Sequence, residues 1–195
     1  DLIGGDVITQ RVIGGFALFG QDEIKLANPL TLILGVRYDF SSVGVTTPGG
    51  QLNPKLGLAY TPAEGTTFRT SVARGFRVPA VAEAFLMAGF SNVIARPNED
   101  LRPERNWGGE VGLAQRLGGF GTFDIAAFRS DFDDLIEVDV VDTASNSLLF
   151  QWRNVAKARI QGVEASLKLG FFDGGLQSSV GYTYVWPQDL TRNDI

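Results

Sequence analysis

The stretch NVAKARIQGVEASLKLG, residues 154–170, alternates strictly over its second half. Gly162, Glu164, Ser166 and Lys168 take every second place, and Val163, Ala165, Leu167 and Leu169 fill the places between. A period of two belongs to the β-strand, whose successive side chains point to opposite faces. One face of this strand is therefore apolar and the other charged. A slip of one residue would exchange Lys168 for Leu167, so the pattern also fixes which way the strand faces.

The same period recurs along the chain and predicts eight strands over 11–26, 30–40, 54–61, 66–76, 105–117, 121–140, 147–170 and 175–186. In 30–40, Leu30, Leu32, Leu34, Val36, Tyr38 and Phe40 oppose Thr31, Gly35, Arg37 and Asp39, with Ile33 out of pattern. In 66–76, Phe68, Thr70, Val72 and Phe76 share a side that Arg74 interrupts. Short links at 27–29, 62–65, 118–120 and 171–174 alternate with longer ones at 41–53, 77–104 and 141–147. An up-and-down antiparallel order then puts the short turns at one end and the long loops at the other.

Such alternation fits a soluble sandwich as well as a membrane barrel, and strand length separates the two. Soluble strands cluster near 5–6 residues, whereas a membrane strand needs about 9–11 to cross the hydrocarbon. Several strands here run longer than that. Aromatic residues gather towards strand ends, at Tyr38, Phe40, Tyr60, Trp107, Tyr182, Tyr184 and Trp186, as interfacial girdles do. The other face carries Lys55, Arg69, Glu110, Arg116, Glu164 and Lys168, which a small apolar barrel interior would not hold. The expected fold is all-β: an antiparallel up-and-down transmembrane barrel with lipid outside and a wet lumen.

Composition narrows the function. The 195 residues contain no Cys and no His, so disulfides, thiolate chemistry, Ser-His-Asp catalysis and the usual zinc sites are not expected. A net charge of −5 offers no basic footprint for nucleic acid. No enzyme activity, cofactor or resident metal is expected. The acids Asp131, Asp133, Asp134, Glu137 and Asp139 do not have the spacing of an EF-hand loop, and alternation splits them between faces. No signal peptide opens the chain, and its first and last residues suggest a segment of something longer.

Four motifs, read together, resemble those of TonB-dependent outer-membrane receptors of the siderophore and cobalamin type. They are QDEIKLANPLTLILGVRYD at 21–39, NPKLGLAYTPAEGTTFRTSVARGFRVPAVAEAF at 53–85, NEDLRPERNWGGEVGL at 98–113, and FRSDFDDLI with NVAKARIQGVEASL within 128–167. The resemblance covers nearly the whole chain. It implies that residues 1–195 are an internal segment of a 22-stranded barrel, without the plug domain, its TonB box or the C-terminal strands. It also implies an importer in the outer membrane of a Gram-negative bacterium. Its partners would be outer-membrane lipid and lipopolysaccharide, a small chelate such as a ferric siderophore or cobalamin, and the TonB-ExbB-ExbD complex reached through the plug.

Loop 77–104 is then the candidate ligand region at the extracellular mouth. Pro79 is placed to open a short helix, AVAEAFLMA. Arg74, Arg77, Arg96 and Arg102, with Glu83 and Phe85, are the candidate ligand contacts, the arginines attracting an anionic chelate. The competing expectation pairs them with Glu83, Glu99, Asp100 and Glu104. Lys55, Arg69, Glu110, Arg116, Glu164 and Lys168 are expected to face the lumen and meet the plug or water. The absence of His from 80–97 disfavours haem, and the last strand with its TRNDI tail leans to a cobalamin type. The rival functions are a passive porin or adhesin barrel and a soluble carbohydrate-binding sandwich.

Overall fold

A computed structural model describes residues 14–41, 49–90, 92–142, 148–171 and 175–191. Eight long strands form one antiparallel wall in chain order. They are β1 (Gly15–Ala27), β2 (Leu30–Ser41), β3 (Gly49–Ala63), β4 (Thr66–Arg77), β7 (Glu104–Leu117), β8 (Gly121–Asp142), β9 (Leu148–Phe171) and β10 (Leu176–Asp189). Between β4 and β7 lie helix α1 (Val81–Phe85) and two short strands, β5 (Ala88–Phe90) and β6 (Val93–Arg96). β6 pairs in parallel with the outer end of β9 and carries β5 on its far side. The wall is open, with β1 and β10 at its edges. An open strand edge is not viable in lipid, so this wall is part of a larger barrel.

The ladder confirms the two faces residue by residue. Leu167 pairs with Phe123 and Val180, Leu113 with Ile125 and Phe68, and Leu56 with Leu34 and Val72, so the apolar sides of neighbouring strands join into one band. On the reverse, Lys168 pairs with Thr122 and Ser179, and Glu110 with Ser71. Among the described residues the buried apolar side chains are Pro79, Ala84, Leu101, Ala126 and Ala156. Among the described residues nothing packs behind the band: Val180, Tyr182, Tyr184 and Trp186 are each more than half exposed. This overturns the sandwich, which would seal one face against a second sheet.

The apolar band has a measurable upper limit. On its face Arg74 pairs with Trp107, Trp107 with Asp131, and Asp131 with Arg159. This polar row stands roughly 20–25 Å above the short turns, at 3.3 Å per residue and a tilt of 35–45°. That height matches the band of about 25 Å that outer-membrane barrels present to lipid. Tyr60 stacks on Phe68 near the short-turn end and Phe16 on Phe40 towards the other, so each boundary carries an aromatic pair. At about 3.3 Å per residue, β9, with its 24 residues, is roughly twice as long as the crossing needs. The outer halves of β8 and β9 therefore stand clear of the membrane.

The short turns close where the backbone allows it. Gly65 (φ 84°) and Gly118 (φ 57°) take the left-handed conformation that costs other residues more. Arg116 N–H donates to the Gly65 carbonyl at 2.6 Å, binding adjacent turns together.

Three expectations need correction. The strand placed at 54–61 runs over Gly49–Ala63, because the Gly-Gly-Gln entry shows no alternation yet pairs with β2 throughout. The helix expected across 80–88 stops at Phe85, where Leu86 is already extended, since residues 88–90 pair with β6 instead. The stretch 77–104, expected as a loop with one helix, also holds the strands β5 and β6. The start of the first strand, Ser42–Pro48, the turns 143–147 and 172–174 and the end of the TRNDI tail lie outside the described residues.

Candidate functional site

Two groups of residues carry the polar chemistry: one on the lumen wall, the other at the root of the loop between β4 and β7.

On the lumen wall, Arg69 of β4 lies across β7 and reaches β8. Its Nε donates to Glu110 Oε1 at 2.9 Å, and its two terminal nitrogens grip both oxygens of Asp124 at 2.6 and 2.8 Å. This fork on one carboxylate is the strong geometry for guanidinium pairing. Gly112 makes it possible. A Cβ there would sit 2.8 Å from Arg69 Cζ, so the side chain lies on bare backbone. Gly112→Ala is expected to lift Arg69 off both acids and to cost about 1–2 kcal/mol, in the range of overpacking. The readout is the temperature at which the folded barrel loses its compact migration on an unheated gel.

Arg69, Glu110 and Asp124 are joined, and Lys168 stands on the same side, diagonal to Asp124 across β8 and β9. Asp124 is the member that sequence reasoning missed; it shares the parity of Thr122, opposite Phe123, which was the available signal. Among the described residues Arg116 pairs with Glu64, 3.7 Å away at an exposed turn. Lys55 and Glu164 hold no ion pair among the described residues.

At the loop root, Arg77 is clamped by two glutamates. It donates to Glu104 at 2.7 and 2.6 Å and to Glu83 at 3.0 and 3.2 Å. Glu83 also accepts the Ala80 N–H at 2.7 Å, closing the first turn of α1. Glu104 accepts the Ile136 N–H at 2.9 Å, where the β8–β9 register shifts and the ladder leaves that donor free. Four elements therefore meet on one guanidinium.

Asn154 of β9 holds the same root from the other side. Its amide accepts from Arg102 N–H at 2.8 Å and donates to Arg102 O at 2.9 Å, acting as a substitute strand partner, and also donates to Asp134 O at 2.7 Å. Asp134 has φ 58°, a costly conformation for a side-chain-bearing residue, and accepts from Arg102 Nη2 at 2.9 Å. Asn98 donates to Trp152 O at 2.7 Å, and Leu101 is completely buried. Asn98, Leu101, Glu104, Asp134 and Asn154 all lie in the motifs quoted above; Glu104 was expected as an ion-pair partner of the loop arginines and is one to Arg77, whereas Asn98, Leu101 and Asn154 were given no role. The motifs meet in space as one anchoring lattice.

This arrangement divides the candidate ligand contacts. Arg77 and Glu83 belong to the clamp, and Arg102 is tied to Asp134. Arg74 is a correction: it stands on the band's own face beside Trp107, at the outer boundary of the band, and donates to Leu52 O and to Gln51 Oε1, the latter at 3.0 Å. Its even position on β4 dictates this. Arg96 is exposed with no ion pair among the described residues, near the exposed Met87. Phe85 is half-buried. The acidic run on β8 is met by arginines: Asp131 by Arg129 and Arg159, Asp139 by Arg153.

Above the membrane, Arg77 holds the Glu104 carboxyl below its ordinary value, with the Ile136 N–H adding to the effect against partial burial. A lowered folded value means the stabilisation is complete above the ordinary value of 4.5 and is lost as pH falls through the lowered one. Protease cleavage between Leu86 and Asn92 is therefore expected to rise below about pH 4. Glu104→Gln should raise it already at pH 7 and flatten the profile.

Comparison with known proteins agrees with this architecture. The sequence matches the family described as "TonB dependent receptor-like, beta-barrel" over residues 4–195. It is 24% identical to the ferrienterobactin receptor of Escherichia coli K12, over 90% of this chain and 24% of that protein. It is 28% identical to the ferric enterobactin receptor of Pseudomonas aeruginosa, over 87% of this chain and 25% of that protein. The structure superposes on the siderophore receptor PirA of P. aeruginosa with TM-score 0.76 and 24% identity, covering 91% of this chain and 35% of that one. For the ferric enterobactin receptor PfeA in complex with BCV-L6, the TM-score is 0.74 and the identity 27%, over 93% and 28% of the two chains. The chain spans about a quarter of the length of these curated relatives. With the matched wall, the lumen face and the anchored outer loop in place, the chain belongs to the TonB-dependent receptor β-barrel family.

Proposed function

We propose that the protein to which this wall belongs is an outer-membrane receptor that captures a ferric siderophore at its outer mouth. It imports the chelate by TonB-dependent coupling through a plug domain. The observation that supports this most is the loop between β4 and β7, pinned at its root by Arg77, Glu104 and Asn154 while Met87 and Arg96 remain exposed. A rigid root and an open tip suit reversible capture of a bulky anionic chelate. Arg96 and Phe85 are the contacts favoured here, the arginine for charge and the ring for stacking or apolar contact. The relatives above are named for enterobactin and siderophores, which favours an iron chelate over cobalamin.

The test uses the full-length protein in cells that lack their own catecholate receptors. Accumulation of iron-55 from ferric enterobactin is expected with TonB present and absent without it. Surface binding should persist in both strains. Equal accumulation with and without TonB would replace this reading with a passive pore.

A further inference from the structure

The apolar band is not smooth below its outer boundary. Gly109 of β7 stands on the band's face between Val72 and Arg129 in the ladder, two residues from Trp107 on one side and from Val111 on the other. A Cβ there would meet Ser71 O at 3.5 Å, an ordinary contact, so the wall leaves room for a side chain that the sequence does not supply. Ala127, opposite Val111, is the next small residue. The result is a groove of about 470 Å3 on the face turned to lipid, with Arg129 and Asp131 on its rim. It lies on β4, β7 and β8, which have wall strands on both sides, so its floor and walls are complete in this segment.

The rim carries more positive charge than the wall neutralises. Arg129 and Arg159 both direct Nε to Asp131, at 2.8 and 2.5 Å, two cations on one carboxylate. The terminal nitrogens of Arg159 have no hydrogen-bond partner among the described residues. Across Trp107, Arg74 meets the neutral oxygens of Leu52 and Gln51. The next row outward pairs Arg105 with Asp133 and adds no net charge. Cations at the edge of the hydrocarbon are matched by the phosphates of lipid headgroups.

We propose that the groove and its rim are a seat for one lipopolysaccharide molecule. An acyl chain of lipid A lies in the gap over Gly109, one phosphate meets Arg129 and Arg159, and the other meets Arg74. Lipid surrounds the whole band; here one molecule is held. The inference rests on the outer-membrane placement of the family and not on the chelate. The rim is at the end of the band away from the short turns, at the level of the outer leaflet. Its two cationic centres stand on β4 and β8, two strand spacings or about 10 Å apart. That separation suits a headgroup with a phosphate at each end of a disaccharide and exceeds the reach of a single phosphodiester.

Native mass spectrometry of the full-length receptor, delipidated in detergent, tests this with diphosphoryl lipid A, monophosphoryl lipid A and phosphatidylglycerol as probes. One diphosphoryl lipid A is expected per receptor, bound about tenfold more tightly than either other probe. Gly109→Leu fills the gap without disturbing the ladder and should weaken that binding about tenfold. R74Q should weaken diphosphoryl lipid A by about as much and leave the monophosphoryl form unchanged, because a single phosphate takes the stronger Arg129–Arg159 position. R129Q/R159Q should weaken both. Compact migration on an unheated gel checks that each variant is folded. Phosphatidylglycerol binding as tightly as diphosphoryl lipid A, or lipid A binding G109L and the unaltered receptor alike, would overturn the proposal. No chelate enters the measurement, so a receptor that imports no ferric enterobactin can still hold the lipid, and the two readings fail separately.

Discussion

Leu167→Arg is expected to destabilise the folded barrel by about 2–4 kcal/mol, while Ser166→Arg, one residue away, should cost less than about 1 kcal/mol. Leu167 lies in the apolar band between Phe123 and Val180, several residues above the short turn and well below the Arg74–Trp107–Asp131–Arg159 row. A guanidinium there must enter hydrocarbon or drag the strand towards an interface. Ser166 faces the lumen between Asp124 and Gly181, where water and a carboxylate are at hand. Reversible urea unfolding into lipid vesicles of the full-length receptor measures both. Similar losses for the two variants would mean that the faces are not sorted as the ladder indicates.

The second large effect is expected away from the membrane. Leu101 is completely buried in a structure with almost no interior, beside a loop fixed by Arg77, Asn98 and Asn154. Leu101→Ala removes one of the few apolar anchors of that root and should cost about 2–3 kcal/mol locally, at the low end for buried leucines because an outer loop relaxes more readily than a core. The barrel below should remain intact. Hydrogen exchange of segment 86–100 is expected to rise by about a hundredfold while β2 and β3 keep their protection. Loss of the whole barrel would show instead that the loop root is part of the folding unit.

These two outcomes divide along the line between what the amino-acid pattern revealed and what it concealed. Period-two alternation in 30–40 and 154–170 was enough to place the strands, their faces and the up-and-down order, because each lipid-facing strand must satisfy the same constraint independently of its neighbours. Parity also placed Arg69, Glu110 and Lys168 on the face opposite the apolar band, where the ladder has them. Asp124 escaped because its importance depends on Arg69 reaching across Gly112, a contact between strands that no single strand encodes.

The loop root was harder to read for a related reason. β5 and β6 span three and four residues, too short for a period to show, and β6 exists because it finds the outer extension of β9 more than fifty residues later. The extended backbone of residues 88–90 also shortens the helix. Arg77 and Glu83 drew notice as charges near a mouth, but charge alone does not distinguish a ligand contact from a structural clamp. Geometry does: four hydrogen bonds to two glutamates leave Arg77 little to offer a ligand. Arg74 was legible in principle, since its parity with Val72 and Phe76 already placed it on the apolar side.

The central claim is that residue parity sorts lipid from water along β9. This segment has no cysteine, so single Cys substitutions at each of residues 160–169 add one spin-label site to it, any cysteine elsewhere in the full-length receptor being replaced by Ala. In the full-length receptor reconstituted into vesicles, collision rates with oxygen should peak at 163, 165, 167 and 169. Collision rates with a water-soluble nickel chelate should peak at 162, 164, 166 and 168, and the two profiles should run out of phase. Profiles in phase, or without a period of two, would contradict the account.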